Sequence, residues 1–244
     1  MRRPVLIMVV VCSALTAAGC DSTQEKASRL AASSGEAFEK TGLRVTKENP
    51  DVEVVKTWTL TDPNGTAVAV RVRNTTQKRL VGVPIAVDVQ DAAKQSVFRN
   101  DDPGLDPSLV ELPVLRAGET VTWVNDQVVP TGEAKATEAK IGLQRSVMET
   151  EEPRLTLQQI ERRSDADGAV VTGFVMNKSD VDQRNVVIYG VATKGGDVVA
   201  AGRGQVQRVR PGQRAKFNVF FIGDPSEGTL DLAVPATTLE PGGE

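Results

Sequence analysis

The stretch that decides the fold occurs twice: Ala67-Val68-Ala69-Val70-Arg71-Val72 lies between Gly65 and Asn74, and Val170-Val171-Thr172-Gly173-Phe174-Val175 lies between Gly168 and Asn177. The two copies are 103 residues apart. Each is rich in β-forming residues and follows turn-forming ones, so each predicts a β-strand after a tight turn. A strand that recurs at a fixed interval indicates that the chain contains two related units.

A second pair of matching stretches shows how the two copies differ. Leu115-Arg116-Ala117-Gly118 precedes Trp123, and Val209-Arg210-Pro211-Gly212 precedes Phe217, with each glycine five residues before the aromatic side chain. This pair is 94 residues apart, so the first copy contains nine extra residues. We place this insertion within residues 98–109.

Apolar and polar residues alternate along several segments of the two predicted domains, which span residues 52–146 and 153–240. The alternating apolar positions are Val83, Ile85, Val87 and Val89, then Val121 and Trp123, then Phe217, Val219 and Phe221. A period of two is typical of strands with one buried face. Short strands separated by Asp, Asn, Gly and Pro are typical of a β-sandwich. The sequence therefore predicts an all-β chain with two tandem sandwiches.

The second predicted domain also carries a pattern of linked motifs. It reads Val171-Thr172-Gly173-Phe174-Val175-Met176-Asn177, then Asn185-Val186-Val187-Ile188-Tyr189, then Val198-Val199, Pro211-Gly212 and Phe217-Asn218-Val219. This pattern resembles the FxLYD-type immunoglobulin-like domain of bacterial surface lipoproteins, with Tyr189-Gly190-Val191 in place of the motif that names the family. The resemblance implies immunoglobulin-like sandwiches and an envelope location, and it implies no reaction.

The first residues, 1–19, have the features of an export signal. Arg2 and Arg3 form a basic start, and the apolar run Pro4–Ala18 follows them. Thr16-Ala17-Ala18-Gly19-Cys20 resembles the lipobox of bacterial lipoproteins. The resemblance implies that Cys20 carries a diacylglyceryl thioether and begins the mature chain, which would be held on the extracytoplasmic face of the cell membrane. The alternatives are an uncleaved anchor and an ordinary secretory signal.

The polar segment after Cys20 contains few large apolar residues up to about residue 51. Segments rich in Ser, Ala, Glu and Lys do not bury enough apolar surface to fold on their own. We therefore predict that residues 20–51 comprise the lipidated cysteine and a flexible tether. A second polar stretch, 147–152, is predicted to link the two domains.

The composition excludes several classes of function. The chain has no histidine, and its two cysteines, Cys12 and Cys20, lie in or next to the signal. This excludes a Ser-His-acid triad, imidazole ligands and thiolate metal sites in the exported body. A net charge of −3 is not the basic signature of a nucleic-acid-binding protein. We expect no catalytic residues, no cofactor and no metal.

Two charged segments are candidate sites. Within the insertion 98–109, the acidic run that begins at Asn100 suggests a calcium loop. Leu105 stands at the sixth position, where such a loop needs glycine, so an exposed loop is expected instead. The basic strip Arg203–Lys216, which includes Arg208 and Arg210, could contact phospholipid headgroups or anionic wall polymers. The alternative, which we favour, is an exposed outer strand face.

The remaining motifs are interpreted as structural. Asn74 and Asn177 occupy equivalent positions and are expected to bond the nearby backbone in turns, since asparagine tolerates left-handed turn geometry. Gly195-Gly196 and Gly202-Arg203-Gly204 are predicted to form hairpin turns. The aromatic residues Trp58, Trp123, Phe217 and Phe221 are expected in the core, with an exposed platform for sugars as the alternative.

The sequence as a whole predicts an exported lipoprotein that binds or spaces other envelope components without catalysis. Its partners would be the membrane, through the lipid on Cys20, and an envelope protein or polymer. A ligand carrier with a deep pocket is the first alternative, and an enzyme of an unrecognised class is the second.

Overall fold

The computed structural model describes residues 41–165 and 168–239, and the predicted signal and Cys20 lie outside the described residues. The described chain is nearly all β, as the sequence predicts. Its first repeat contains β1 Val52–Asp62, β2 Gly65–Asn74, β3 Arg79–Gln90, β4 Ser96–Arg99, β5 Glu111–Leu115, β6 Thr120–Val128, β7 Ala136–Ile141 and β8 Ser146–Met148. Its second repeat contains β9 Leu155–Asp165, β10 Gly168–Asn177, β11 Gln183–Lys194, β12 Asp197–Val209, β13 Arg214–Gly223 and β14 Thr229–Ala233.

The first repeat is a sandwich of two antiparallel sheets. One sheet has the strand order β1-β2-β6, and the other is built around β3, which pairs with β4, β5, β7 and β8. Apolar side chains from both sheets form one core. The predicted alternation in β3 is confirmed from Ile85 to Gln90, and Val83, Ile85, Val87 and Val89 are all buried, but Pro84 between the first two is buried as well.

The second repeat forms one antiparallel sheet of six strands in the order β14-β11-β12-β13-β10-β9. Residues of β10 and β13 share a core with residues of β11 and β12, so the sheet curls around its own apolar face. Gly202 and Gly204 lie inside β12, where an added Cβ would be 2.0 Å from the Phe220 carbonyl oxygen and 2.3 Å from that of Asn218. Their predicted hairpin turn is therefore wrong, and they permit β13 to approach β12 closely.

Most strands of the two repeats correspond, although β8 has no counterpart in the second repeat, and one difference locates the insertion. In the second repeat, β12 runs without a break from Asp197 to Val209. In the first repeat, β4 and β5 occupy the place of β12, and residues 100–110 lie between them. A 3-10 turn at Pro107–Leu109 is part of this connection. The nine extra residues thus lie where the sequence predicts them.

The repeats pack against each other along a broad apolar face. The core of the first repeat includes side chains from the second, namely Val187, Tyr189, Val191, Val198, Ala201 and Ile222. Strands β11 and β12 lie against β6, and β12 and β13 lie against β2. The polar face predicted for β6 is consequently covered: Thr122 is only 6 % exposed. Strict alternation fails in β6 because both of its faces are buried.

Asn74 and Asn177 play the same structural role in the two repeats. Each is buried and bonds the chain two residues further on through its Oδ1, which accepts the backbone N–H of Thr76 or Ser179 at 2.9 Å. Each Nδ2 donates to carbonyls of two separate segments: Lys78, Leu115 and Arg116 in the first repeat, and Val181 and Val209 in the second. The structural interpretation is confirmed, and neither asparagine uses the left-handed geometry that this residue type tolerates.

Parts of the predicted tether and linker belong to the folded structure. Leu43 and Asn49 are buried, and the Asn49 backbone N–H donates to the Ile141 carbonyl at 2.9 Å. Residues 43–51 are therefore packed on the first repeat, contrary to the prediction. In the predicted linker, Glu152 accepts a hydrogen bond from Arg116 Nε at 2.9 Å. This contact fixes the chain where it passes from one repeat to the other.

Candidate functional site

A buried arginine lies at the centre of the junction between the repeats. Arg203 of β12 has a side chain that is 5 % exposed. Its backbone N–H donates to Asp126 Oδ2 at 3.0 Å, and its Nε donates to Asp126 Oδ1 at 3.3 Å. Both oxygens of one carboxylate thus bind one residue of the opposite repeat. A buried charge is stable only when it is paired in this way.

The insertion of the first repeat completes this arrangement. The Arg203 guanidinium also donates to Ser108 Oγ and lies 3.6 Å from Asp106 Oδ1. Gln205, two residues further along β12, donates to Asp106 Oδ2 at 2.8 Å. Burial alone would raise the pKa of Asp106, but the hydrogen bonds from Ser108 and Gln205 outweigh it, so the pKa lies below its ordinary value.

The interpretation of the insertion as an exposed loop is right for its middle, residues 101–104, and wrong for its two ends. Ser108, Leu109 and Asn100 are buried. Asn100 Nδ2 donates to the Ile85 carbonyl at 2.8 Å, and its Oδ1 accepts the Val87 N–H at 2.8 Å. These contacts occupy the side chain that began the possible calcium loop. Among residues 41–165 and 168–239, no group of three or more possible metal ligands occurs.

Two large aromatic side chains meet the insertion from opposite repeats. Trp123 Nε1 donates to the Ser108 carbonyl at 2.9 Å, and Tyr189 Oη donates to the same oxygen at 3.3 Å. Both rings are fully buried. Burial raises the pKa of the Tyr189 hydroxyl far above its ordinary value, an effect that the nearby Arg203 only partly opposes. Tyr189 is therefore a neutral hydrogen-bond donor in the junction.

A cleft of about 310 Å³ opens beside this cluster. Glu111 and Arg145 form an ion pair on its first-repeat side, and Arg184 lines its second-repeat side. Burial raises the pKa of Glu111, and Arg145 opposes that shift without cancelling it. The cleft is comparable to the smallest pockets that hold small molecules.

The predicted basic strip does not form a single surface. Arg203 points into the junction, as described above. Arg208 is exposed and binds Asp182 through two hydrogen bonds of 2.8 and 3.0 Å, which lower the pKa of Asp182. The Arg214 guanidinium lies over the Phe174 ring, 4.5 Å from its centroid. The expectation of an exposed strand face is therefore wrong for Arg203 and right for Arg208.

One of the four aromatic residues assigned to the core lies at the edge of the junction instead. Trp123, Phe217 and Phe221 are buried. Trp58 is only partly buried and has two cations over its ring, Lys56 at 5.2 Å and Arg71 at 4.9 Å from the centroid. Its Nε1 donates across the junction to Asp197 at 3.2 Å, and Lys56 also binds that carboxylate. With two cations over the ring and its Nε1 bound to Asp197, the ring is not a free platform for a sugar.

A groove of about 450 Å³, lined by leucines and also by charged side chains such as Arg116 and Asp231, lies at the other side of the junction. Its walls come from the two edge strands of the second repeat, β9 and β14, and one side is closed by β5 and β6 of the first repeat. The wall residues include Leu155, Leu157, Ile160, Leu230 and Leu232. No sequence motif indicated this groove, because it forms only when the sheet curls.

Comparisons with known proteins identify no family. No protein-family model and no curated protein sequence matches the chain. A solved chain described as part of a "chaperone-tip adhesin complex" of CFA/I fimbriae is 16 % identical and covers 75 % of this chain and 100 % of its own length, with a TM-score of 0.20. At so low a TM-score the likeness carries no argument about function. Within the part of the chain that is described, no helix is long and apolar enough to cross a membrane.

Proposed function

We propose that the chain is an exported lipoprotein, anchored through Cys20, that acts as a rigid, non-catalytic binding module of the cell envelope. The observation that carries this proposal is the junction, where charged side chains from the two repeats bind one another. Such a junction holds the two repeats in one orientation and leaves the groove lined by β9 and β14 open beside them.

Three separate contacts support the rigid arrangement. Arg203 binds Asp126 near the centre of the junction. Asp197 accepts hydrogen bonds from the other repeat at one edge, where Trp58 is its donor at 3.2 Å. The Gly223 backbone N–H donates to Asp62 Oδ2 at 2.8 Å. Contacts spread over a surface resist hinge motion better than a single linker does, so the repeats present a binding surface of fixed shape.

The chemistry of the junction also favours binding over catalysis. The chain has no histidine, and the carboxylates of Asp106 and Asp126 are engaged by Arg203 and its neighbours. A general base needs a proton acceptor that can reach a substrate. Because both carboxylates are paired with Arg203, they stabilise the junction and do not serve as general bases.

The cleft beside Glu111 favours a second candidate, a carrier of a small ligand. Its volume is about 310 Å³, and Arg184 on its second-repeat side would attract a small anionic molecule, while Arg145 is already paired with Glu111. Saturation-transfer NMR with a set of small carboxylates and phosphates would detect this function. Binding that is lost in Arg184→Ala would favour the carrier over the rigid module.

The anchor is tested with Cys20→Ser. Two acyl chains hold a protein firmly on a bilayer, since each buried methylene contributes about 0.8 kcal/mol, whereas one chain binds only marginally. We expect the native chain in the membrane fraction with a lipid mass on its first residue, and the Cys20→Ser chain without that lipid and released from the membrane. Cys12→Ser, inside the signal, is the matched control and should leave lipidation unchanged.

Two results would contradict the proposal. A Cys20→Ser chain that stays in the membrane while the native chain carries no lipid would indicate an uncleaved anchor. A single carboxylate or hydroxyl whose conservative replacement abolishes a cellular phenotype, with folding and partner binding intact, would indicate an enzyme.

A further inference from the structure

The two repeats differ at the boundary between two of their edge strands, which we call the seam. In the first repeat, β1 and β7 meet at this seam. Thr57 Oγ1 donates to the Thr137 carbonyl at 2.7 Å, and the hydroxyls of Thr59 and Thr137 lie 2.8 Å apart. These short polar side chains hold the two strands together.

The seam of the second repeat lies between β9 and β14 and lacks these contacts. Ile160 and Arg162 stand 103 residues after Thr57 and Thr59. Among the described residues, no hydrogen bond joins β9 directly to β14. Arg162 instead reaches beyond the end of the seam, to the Pro225 and Gly228 carbonyls at 3.2 and 3.3 Å. The seam is therefore bridged at one end and open along the rest.

The open seam has the features of a slot for one extended chain. Both of its walls are sheet edges, and an edge strand has backbone N–H and C=O groups that are not used within its sheet. Leu155 and Leu157 on β9, and Leu230 and Leu232 on β14, are spaced at the strand period and line the groove. They are only partly buried although they pack on the core of the second repeat.

We propose that this groove binds an extended segment of a partner protein, with an apolar side chain at every second position, as an added β-strand between β9 and β14. The inference rests on the proposed binding function and names the class of partner. β9 and β14 run in opposite directions, since every pairing between them in the sheet order is antiparallel. The added strand would therefore be antiparallel to one edge and parallel to the other.

The chemistry of the slot selects this occupant. A lipid chain would cover the leucines and would shield the backbone groups of both edges from water without bonding them, which is costly. A folded second copy would bring strands already flanked by their own sheets, whereas an occupant of this groove would have an edge strand on each side and would need both of its own edges free. β14 has five residues, so at about 3.3 Å per residue the contact would extend over about 16 Å.

The test uses the full chain with its anchor in lipid nanodiscs and a displayed library of random nonapeptides, with empty nanodiscs to remove background. We expect the selected peptides to have apolar residues at alternate positions. Ile160→Asp should weaken their binding at least about tenfold, because a carboxylate would be desolvated beside the added strand. Ile160 is 46 % exposed, so its replacement should leave folding intact. Ile160→Ser is the fallback if Asp disturbs folding.

Phe220→Asp is the matched control. Phe220 is 58 % exposed on β13 and does not line the groove, so its replacement should leave peptide binding unchanged. The inference is overturned if no peptides are enriched over empty nanodiscs, if the selected peptides lack the alternating pattern, or if Ile160→Asp and Phe220→Asp bind equally well. The anchored binding module would survive these outcomes if cross-linking in intact cells still recovers a partner with the Ile160→Asp chain.

Discussion

Replacing Arg203 with methionine is expected to destabilise the whole molecule rather than one repeat. Methionine keeps the length and most of the apolar volume of the arginine side chain but removes its charge. The change takes away the Nε bond to Asp126 Oδ1 at 3.3 Å and the bond to Ser108 Oγ. It leaves the bond from the Arg203 backbone N–H to Asp126 in place.

The size of the effect follows from these contacts. Breaking a fully buried ion pair by removing one partner costs about 3–5 kcal/mol. The loss should lie at the low end of this range, because the Asp126 and Asp106 side chains are 18 % and 39 % exposed and water can solvate them once the arginine is gone. We therefore expect the free energy of unfolding to fall by about 3 kcal/mol, a factor of more than one hundred in the unfolding equilibrium.

Urea unfolding followed by tryptophan fluorescence measures this change. Trp123 is buried beside the insertion and Trp58 contacts Asp197 across the junction, so both report on the arrangement of the repeats. Arg208→Met is the matched control on the same strand. Arg208 is paired with Asp182 at the surface, where an ion pair contributes no more than about 1 kcal/mol.

The double variant Arg203→Met/Asp126→Asn separates the pair from other effects. If the ion pair is responsible, the double variant should be less destabilised than the sum of the single variants. Equal losses for Arg203→Met and Arg208→Met, or strictly additive losses in the double variant, would refute the role given to the buried pair.

Three further outcomes are expected. Asn177→Ala should lower the free energy of unfolding by about 2–3 kcal/mol, and Asn74→Ala should lower it by a similar amount. Each substitution removes at least four hydrogen bonds of a buried amide. A denaturation midpoint within error of the native value would contradict this. The pKa of Asp197 is lowered, first by the hydrogen bond from Lys56 and then by that from Trp58, so the stability it contributes is present above its unfolded pKa and is lost as the pH falls through its lower folded pKa. The difference in denaturation midpoint between native and Asp197→Asn chains should therefore be larger at pH 7 than at about pH 2, and a constant difference would oppose the assignment. Residues 153–240 expressed alone should bind a hydrophobic dye, because the face that carries Val187 and Tyr189 would be exposed, and a dye signal equal to that of the whole chain would contradict this.

The strands could be predicted from the sequence because they depend on local patterns. The turn glycines Gly65 and Gly168 each start a strand in the structure, and the apolar residues of β3 are buried as their alternation predicts. The insertion could also be located, since comparing the spacing of two repeats requires no knowledge of the fold. Each of these features depends on residues close together in the chain.

The junction could not be predicted because it depends on which outer faces of the two repeats meet. From the sequence, a polar residue such as Thr122 is predicted to be exposed, but in the structure the second repeat covers it. The sequence groups Arg203 with a basic strip. Its partner Asp126 is 77 residues away, and nothing in the sequence connects the two. Small residues interrupt the alternation of apolar and polar positions near Arg203. This interruption was a sign in the sequence that the strand is covered there.

No motif indicates the groove between β9 and β14, but the two repeats differ in sequence at this place. By the offset of 103 residues, Ile160 and Arg162 of the second repeat are equivalent to Thr57 and Thr59 of the first. The short hydroxyl side chains of the first repeat are thus replaced by long side chains in the second. The meaning of this difference appears only in the structure, where Thr57 and Thr59 close the seam of the first repeat through Thr137.

Amide hydrogen exchange of the edge strands β9 and β14, with and without a peptide selected from the library, measures whether both edges bind one added strand. We expect the outward-facing amides of residues 155–160 and of Thr229–Ala233 to exchange rapidly in the free chain, whereas those at the seam between β1 and β7 should be more protected. The peptide should slow exchange at both edges of the second repeat together. Slow exchange at both edges in the free chain, or a bound peptide that protects neither edge, would show that the groove does not bind an added strand.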